Sequence, residues 1–238
     1  MKAFLYGISL QFRLDLRSKS LLITCYLVPL LFFAVMGGIF SSLMPEARET
    51  LTQSMTIMGI SMGAFIGVPP TILEMYERDM RKTYAANGVP LFFGLFAAGI
   101  SAFLHLAILS VLLFFASPLA FGAKFPPDIP FYFFTMALCI LVSLCVACAL
   151  GLAVKNQAKL TMCCQLVFLP SILLSGILFP SGLLPGFLQA LGKLFPAYWA
   201  YSLLCGTEAG IPAFLPLGAI SAGAAVLCAL LLKRLRTE

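Results

Sequence analysis

His105 is the only histidine in 238 residues, and it lies in a run with no charged residue from Thr83 to Ala123. An imidazole in such a setting can serve as a general base, ligate a metal, or hold a neighbouring helix by a hydrogen bond. Intramembrane hydrolysis needs a nucleophile matched to that base, or paired carboxylates. The long apolar runs contain no Asp, Glu, Lys or Arg. His105 therefore reads as a structural histidine bonded to another helix, with an intramembrane enzyme using His105 as the alternative. The eight cysteines give no better chemistry. Cys25, Cys139, Cys145, Cys148, Cys163, Cys164 and Cys228 lie inside apolar runs, and Cys205 stands alone. Cys145 and Cys148 have a ligand-like spacing but no second soft pair close in sequence, so they read as packing residues, with no metal site. No GxxxxGK[ST] phosphate loop occurs. If this chain moves a solute uphill, another subunit supplies the energy.

The densest polar chemistry is a loop, Glu74 to Pro90, reading EMYERDMRKTYAANGVP. Glu74/Arg78 and Glu77/Arg81 are i,i+4 pairs with the acid first, which supports a short charged helix. Asn87-Gly88 ends it, since both residues tolerate the left-handed conformation.

The elements that carry these residues follow from composition. Hydrophobic residues make up 61% of the chain and charged residues 10%, against about 25% charged in an average soluble domain. Such a chain needs lipid as its solvent. A helix crossing a ~30 Å hydrocarbon core takes about 20 apolar residues and satisfies its own backbone. Uncharged windows of that length place six spans near 21–40, 53–73, 91–115, 131–154, 160–179 and 212–232. The runs are continuously apolar, which excludes the alternating strands of a membrane β-barrel. The expected fold is an all-α membrane protein with six transmembrane helices, one transmembrane domain over 1–238, and no cleavable signal peptide.

Three further segments have their own signatures. Residues 1–19 form an interfacial helix, with Phe4, Leu5, Ile8, Phe12 and Leu16 on one face and Lys2, Arg13 and Arg17 opposite; Asp15 intrudes on the apolar face. Gly59, Gly63 and Gly67 make a small-residue ladder in span 2, for packing within the chain or between subunits. Pro69 and Pro70 predict a bend below it. Residues 181–206 are too apolar for a solvated loop, and read as an outer re-entrant segment in which Pro185 opens a helix and Pro196 breaks one.

Lys and Arg give the orientation. Lys2, Arg13, Arg17, Lys19, Arg78, Arg81, Lys82, Lys155, Lys159, Lys233, Arg234 and Arg236 fall on one side; Arg48, Lys124 and Lys193 fall on the other. Basic residues stay cytoplasmic, so both termini face the cytoplasm of a multi-pass protein in the plasma or inner membrane. The net charge of +6 is then an orientation and lipid-headgroup signal, not a nucleic-acid footprint.

Taken in order, these parts resemble the membrane subunit of a type-2 ATP-binding-cassette (ABC) exporter over nearly the whole chain. Glu77 to Pro90, ERDMRKTYAANGVP, is similar to that family's coupling segment, which begins with Glu plus a basic residue and closes at Pro. Ser175-Gly176, Phe179-Pro180, Leu184-Pro185, Gln189 and Pro196 resemble its outer-loop pattern. Arg81-Lys82 stands where the family often has Gly-Thr.

The resemblance implies a permease without a nucleotide site of its own, not an enzyme. It implies two ABC ATPase subunits that hold ATP and Mg, and a second permease copy or a homologous permease. Their contact with this chain would be Glu77, Arg78, Asp79, Arg81, Lys82, Tyr84 and Asn87 of the coupling loop, 74–90. The substrate path would form largely from spans 1, 2 and 5, whose Phe32, Phe33, Met36, Met55, Met58, Met62, Phe65, Met162 and Phe168 carry no charge. Polarisable, adaptable side chains of this kind suit amphipathic or hydrophobic cargo: a drug, antibiotic, lipid or small peptide. A channel or secondary carrier working without an ATPase remains the other alternative.

Overall fold

The computed structural model describes residues 2–76, 82–84, 86–179, 181–207 and 211–237. The described chain is an all-helical membrane protein, with no strand among those residues. Helix α1 is Lys2–Arg17. Five helices are long and apolar enough to cross a membrane: α2 (Lys19–Leu43), α3 (Leu51–Met75), α4 (Leu91–Phe121), α5 (Ile129–Ala153) and, at the C-terminal end, α9, which runs Leu215–Thr237. A sixth apolar helix, α6 (Gln157–Leu173), is shorter. Between α6 and α9 lie two short helices, α7 (Gly186–Gly192) and α8 (Pro196–Leu204).

The helices start and stop where local chemistry demands. The Ser18 hydroxyl accepts the Leu21 N–H to begin α2, the Asp128 carboxylate accepts the Phe131 N–H at 2.9 Å to begin α5, and Asn156 accepts the Lys159 N–H at 3.1 Å to begin α6. α4 continues past the expected end at 115 because nothing interrupts it before Gly122. That glycine takes φ +64 and returns its N–H to the Pro118 carbonyl. α6 ends at Leu173, short of the expected 179. Ser175 turns its hydroxyl back to the Ile172 carbonyl at 2.8 Å, and Gly176 adopts φ +87. Seventeen helical residues span about 25 Å, less than the ~30 Å hydrocarbon core. Pro196 does not sever a continuing helix. It is the first residue of α8, where its missing N–H costs nothing.

α3 occupies the centre of the bundle. Every residue from Leu51 to Phe65 is buried, and α2, α4, α5, α6 and α8 all pack on it. The prolines in the first two spans are met by a change of helical geometry. A π-turn, Ile23–Leu27, precedes Pro29, and a second, Gly63–Gly67, precedes Pro69 and Pro70. A proline withholds the N–H that the carbonyl four residues back would accept, and widening the preceding turn absorbs the mismatch.

The two π-turns lie against each other. A Cβ at Gly67 would sit 2.9 Å from Cys25 Sγ, and one at Gly63 would sit 2.4 Å from Leu106 Cδ2. The glycine ladder thus serves close packing of α3 on α2 and α4 inside one subunit. The peripheral helices α2 and α9 show apolar residues outward, among them Leu27, Leu31, Val35, Val226 and Leu230. Lipid or another apolar surface solvates such faces.

Candidate transport path and coupling face

The charged loop begins at the C-terminal end of α3. Tyr76, the first residue beyond that helix, is buried, and its hydroxyl is inserted into the first turn of α4. It donates to the Leu91 carbonyl and accepts the Leu95 N–H at 3.0 Å. These two backbone groups would otherwise bond to each other, so the phenol replaces one rung of the helix ladder. Burial pushes the phenol above its ordinary value, and the Leu95 N–H pulls partly back. It therefore remains a neutral donor at any physiological pH.

On the far side of the loop, Tyr84 lies beside Gly94. A Cβ at Gly94 would stand 3.2 Å from the Tyr84 hydroxyl and 2.9 Å from Met75 Sδ. Partial burial also raises the Tyr84 phenol. Asn87 closes the segment, donating from Nδ2 to the Thr83 carbonyl at 2.8 Å, while Gly88 takes φ +65 and the Val89 N–H reaches the Tyr84 carbonyl at 2.9 Å. Residues 82–84 are helical. Of the proposed contacts, Lys82, Tyr84 and Asn87 are placed here; Glu77, Arg78, Asp79 and Arg81 lie outside the described residues. Tyr76 was overlooked in the sequence although it sits in the charged loop. Its signal was an aromatic residue one position past the last apolar turn.

Beside this segment, the N-terminal ends of α2 and α6 and the C-terminal end of α3 border a cavity of about 290 Å3. Ser20 and Thr24 of α2, Thr71 and Glu74 of α3, and Thr161 and Gln165 of α6 line it, together with apolar Leu21, Ile66 and Leu160. Hydroxyls, amides and one carboxylate thus face a wall of aliphatic carbon.

The residues expected to line the path are placed differently. Met55, Met58, Met62, Phe65 and Phe168 are all buried in the subunit's main apolar core, and none lines the cavity. The three helices expected to frame a path do share a cavity. The face they turn to it holds short polar side chains, a signal the charge-free Met/Phe row overshadows.

At the opposite end of the bundle, Lys124 bonds Glu49 Oε1 at 2.6 Å and its backbone N–H reaches the Arg48 carbonyl. Arg48 donates to the Ser41 carbonyl at 2.8 Å. Two of the three basic residues assigned to the outer side therefore share one end. The third, Lys193, follows α7, and its carbonyl accepts the Trp199 indole N–H at 2.7 Å. The 181–206 segment folds back on the bundle through α8, whose Ala197 and Ala200 are fully buried against α5 and α3.

His105 is fully buried in α4 and bonded through Nδ1 to the Tyr26 hydroxyl of α2 at 2.8 Å, as expected of a histidine that ties helices. The buried carboxylate nearby, Asp15, accepts the Ser101 hydroxyl. A hydrolytic triad needs the serine on the imidazole; here the serine is on the carboxylate and a tyrosine is on the ring.

A family model described as ABC-2 type transporter matches residues 3–209. That stretch takes in nearly all of α1, then α2 through α8, the charged loop and the residues of the polar cavity. A comparison with curated proteins found no match.

Proposed function

The chain belongs to the ABC-2 type transporter family, and on that premise we propose that it is the permease subunit of an ATP-driven exporter. Transport through the membrane is the family's role; the energy source, cargo and direction are our reading. Two copies of this chain, or one copy with a homologous permease, assemble with two ABC ATPase subunits that carry ATP and Mg. The ATPases press on the loop between α3 and α4 through Glu77, Arg78, Asp79, Arg81, Lys82, Tyr84 and Asn87. Both termini lie in the cytoplasm of the cell membrane, on the same side as that loop.

The observation that carries this reading is the adjacency of the cavity and the loop. Glu74 lines the cavity, and two residues later Tyr76 locks into the first turn of α4. A push on the loop is delivered to a helix that walls the cavity and, through Tyr76, to α4. The polar wall and aliphatic backing suit an amphipathic cargo entering from the inner leaflet: a drug, antibiotic, lipid or short peptide.

The test is purification of the tagged chain from its native membrane in mild detergent. A stoichiometric partner with a phosphate-binding loop, and ATP hydrolysis stimulated by amphipathic compounds, is the expected result. Recovery of the chain free of any nucleotide-hydrolysing partner, yet active in transport, would favour a channel or secondary carrier.

A further inference from the structure

The lining of the cavity between α2, α3 and α6 is richer in acceptors than in donors. Thr24 of α2 has committed its hydroxyl proton to its own helix, shared between the Ser20 carbonyl at 3.0 Å and the Leu21 carbonyl at 3.2 Å. Thr161 of α6 donates in the same way to the Gln157 carbonyl at 3.0 Å. What these two hydroxyls can still offer a ligand is a lone pair. Pro70, also in the lining, has no N–H, and the Ile66 carbonyl four residues before it has lost its α-helical donor. Ser20 and Thr71 can serve as donor or acceptor, and Gln165 brings one group of each kind. Glu74 of α3 is the one charged side chain in the lining.

Such a lining matches a ligand that supplies donors and positive charge. We propose that the cavity binds the ammonium head group of an amine-bearing amphipath. Glu74 is the counter-charge, Thr24 and Thr161 accept from the ammonium protons, and Leu21, Ile66 and Leu160 hold the first carbons of the chain. An ammonium on a carboxylate makes a charge-assisted hydrogen bond, stronger than a neutral one. At about 290 Å3 the cavity lies at the lower bound of small-molecule sites, about 300–1,000 Å3, so it takes the head group and the start of the chain. This inference rests on the cavity being a station for cargo, and it narrows that cargo to amines. The charge-free Met and Phe row asks for no charge on the cargo; the lining that the three helices share asks for a positive one.

An anion would fare worse. The N-termini of α2 and α6 both reach the cavity, and such ends attract anions. Here one N–H of each first turn is already taken: Ser18 accepts that of Leu21, and Asn156 accepts that of Lys159. Lys19 and Lys159 adjoin the lining in sequence, yet both are exposed and neither lines the cavity. An anion inside would face the Glu74 carboxylate with no cation in the lining. A neutral head group would displace water from Glu74 without replacing it by a charged partner, and an uncharged hydrogen bond compensates a carboxylate less well.

The test is equilibrium binding to the full chain in nanodiscs of uncharged phosphatidylcholine, corrected for uptake by empty nanodiscs. The probes share one chain length: dodecylammonium, neutral dodecanamide and dodecanoate. Dodecylammonium should bind at least about tenfold more tightly than dodecanamide, the size of one hydrogen bond to a charged group, and dodecanoate should bind most weakly. Glu74→Gln should erase the preference, bringing amine and amide to within about twofold of each other, and Glu74→Asp should restore part of it. Thr161→Phe, which fills the cavity, should weaken the binding of both. Equal binding of amine and amide by the wild type, or a preference for the amine that survives Glu74→Gln, overturns the proposal. If Glu74→Gln does not fold, Thr161→Phe decides: an amine preference undiminished by filling the cavity belongs elsewhere on the chain and overturns it too. The transport reading fails separately. Export by the assembled complex that ignores the charge of the amphipath contradicts the amine assignment alone, whereas Glu74-dependent amine binding by a chain whose complex exports nothing upholds this site and removes the exporter reading.

Discussion

Tyr76 shows how a single side chain joins the loop to the bundle. Its hydroxyl takes the place of a backbone rung between Leu91 and Leu95, so Tyr76→Phe leaves a buried carbonyl and N–H to find each other again. One net hydrogen bond of this kind contributes about 0.5–1.5 kcal/mol. We expect Tyr76→Phe to lower the denaturation midpoint only modestly while weakening the link between ATP hydrolysis and transport. The check is the ratio of ATP hydrolysed to substrate moved in reconstituted vesicles; an unchanged ratio would make Tyr76 a packing residue only. Asp15 carries a second residue-scale lesson. Its intrusion on the apolar face of residues 1–19 is visible in the sequence, but the reason lies 86 residues away at Ser101. With that partner, the face turned to the bundle becomes Gly7, Ile8, Gln11, Phe12 and Asp15, and Leu5 and Leu16 are left exposed.

At the scale of elements, the contact between the two π-turns is the most sensitive to volume. Gly63 faces Leu106 on α4, and Gly67 faces Thr24 and Cys25 on α2. Gly67→Ala meets a sulfur and a hydroxyl near the backbone, whereas Gly63→Ala meets the movable end of a leucine. Overpacking costs about 1–3 kcal/mol, so we expect Gly67→Ala to be the more harmful of the two, measured as thermal stability in detergent. Equal tolerance of both would mean that α2 and α3 separate freely at this level.

Helix existence was legible from charge-free windows because lipid demands long, uncharged, self-satisfied segments. Their ends were less so. Phe121 and Leu173 end helices for local reasons, a left-handed Gly122 and a turn at Ser175-Gly176, that hydropathy does not register. The side chains facing the cavity were not legible at all. Which face of α2, α3 and α6 turns toward the others depends on packing, and the Met and Phe row of α3 is claimed by the core.

For the whole molecule, the arrangement of charged groups at the two ends fixes the expected topology. The Glu49–Lys124 pair and Arg48 mark one end. Cys205 follows α8, whose Tyr201 lies beside Thr50 and Ser54 at that same end. A membrane-impermeant thiol reagent on intact cells should label Cys205 at most, and Cys205→Ser should abolish the signal. A reporter fused at Glu238 that reads extracellular would reverse the assignment. The central claim is that force on the loop between α3 and α4 drives movement of cargo past the cavity. Its most direct test is ATP-dependent efflux of an amphipathic probe from cells or proteoliposomes carrying the complex, comparing wild type with Glu77, Arg81 and Tyr84 together replaced by Ala. We expect the triple variant to reach the membrane, to keep its ATPase partner's basal hydrolysis, and to lose at least about tenfold in transport rate, equivalent to about 1.4 kcal/mol of coupling. Wild-type transport by the triple variant, or transport that continues without ATP, would contradict it.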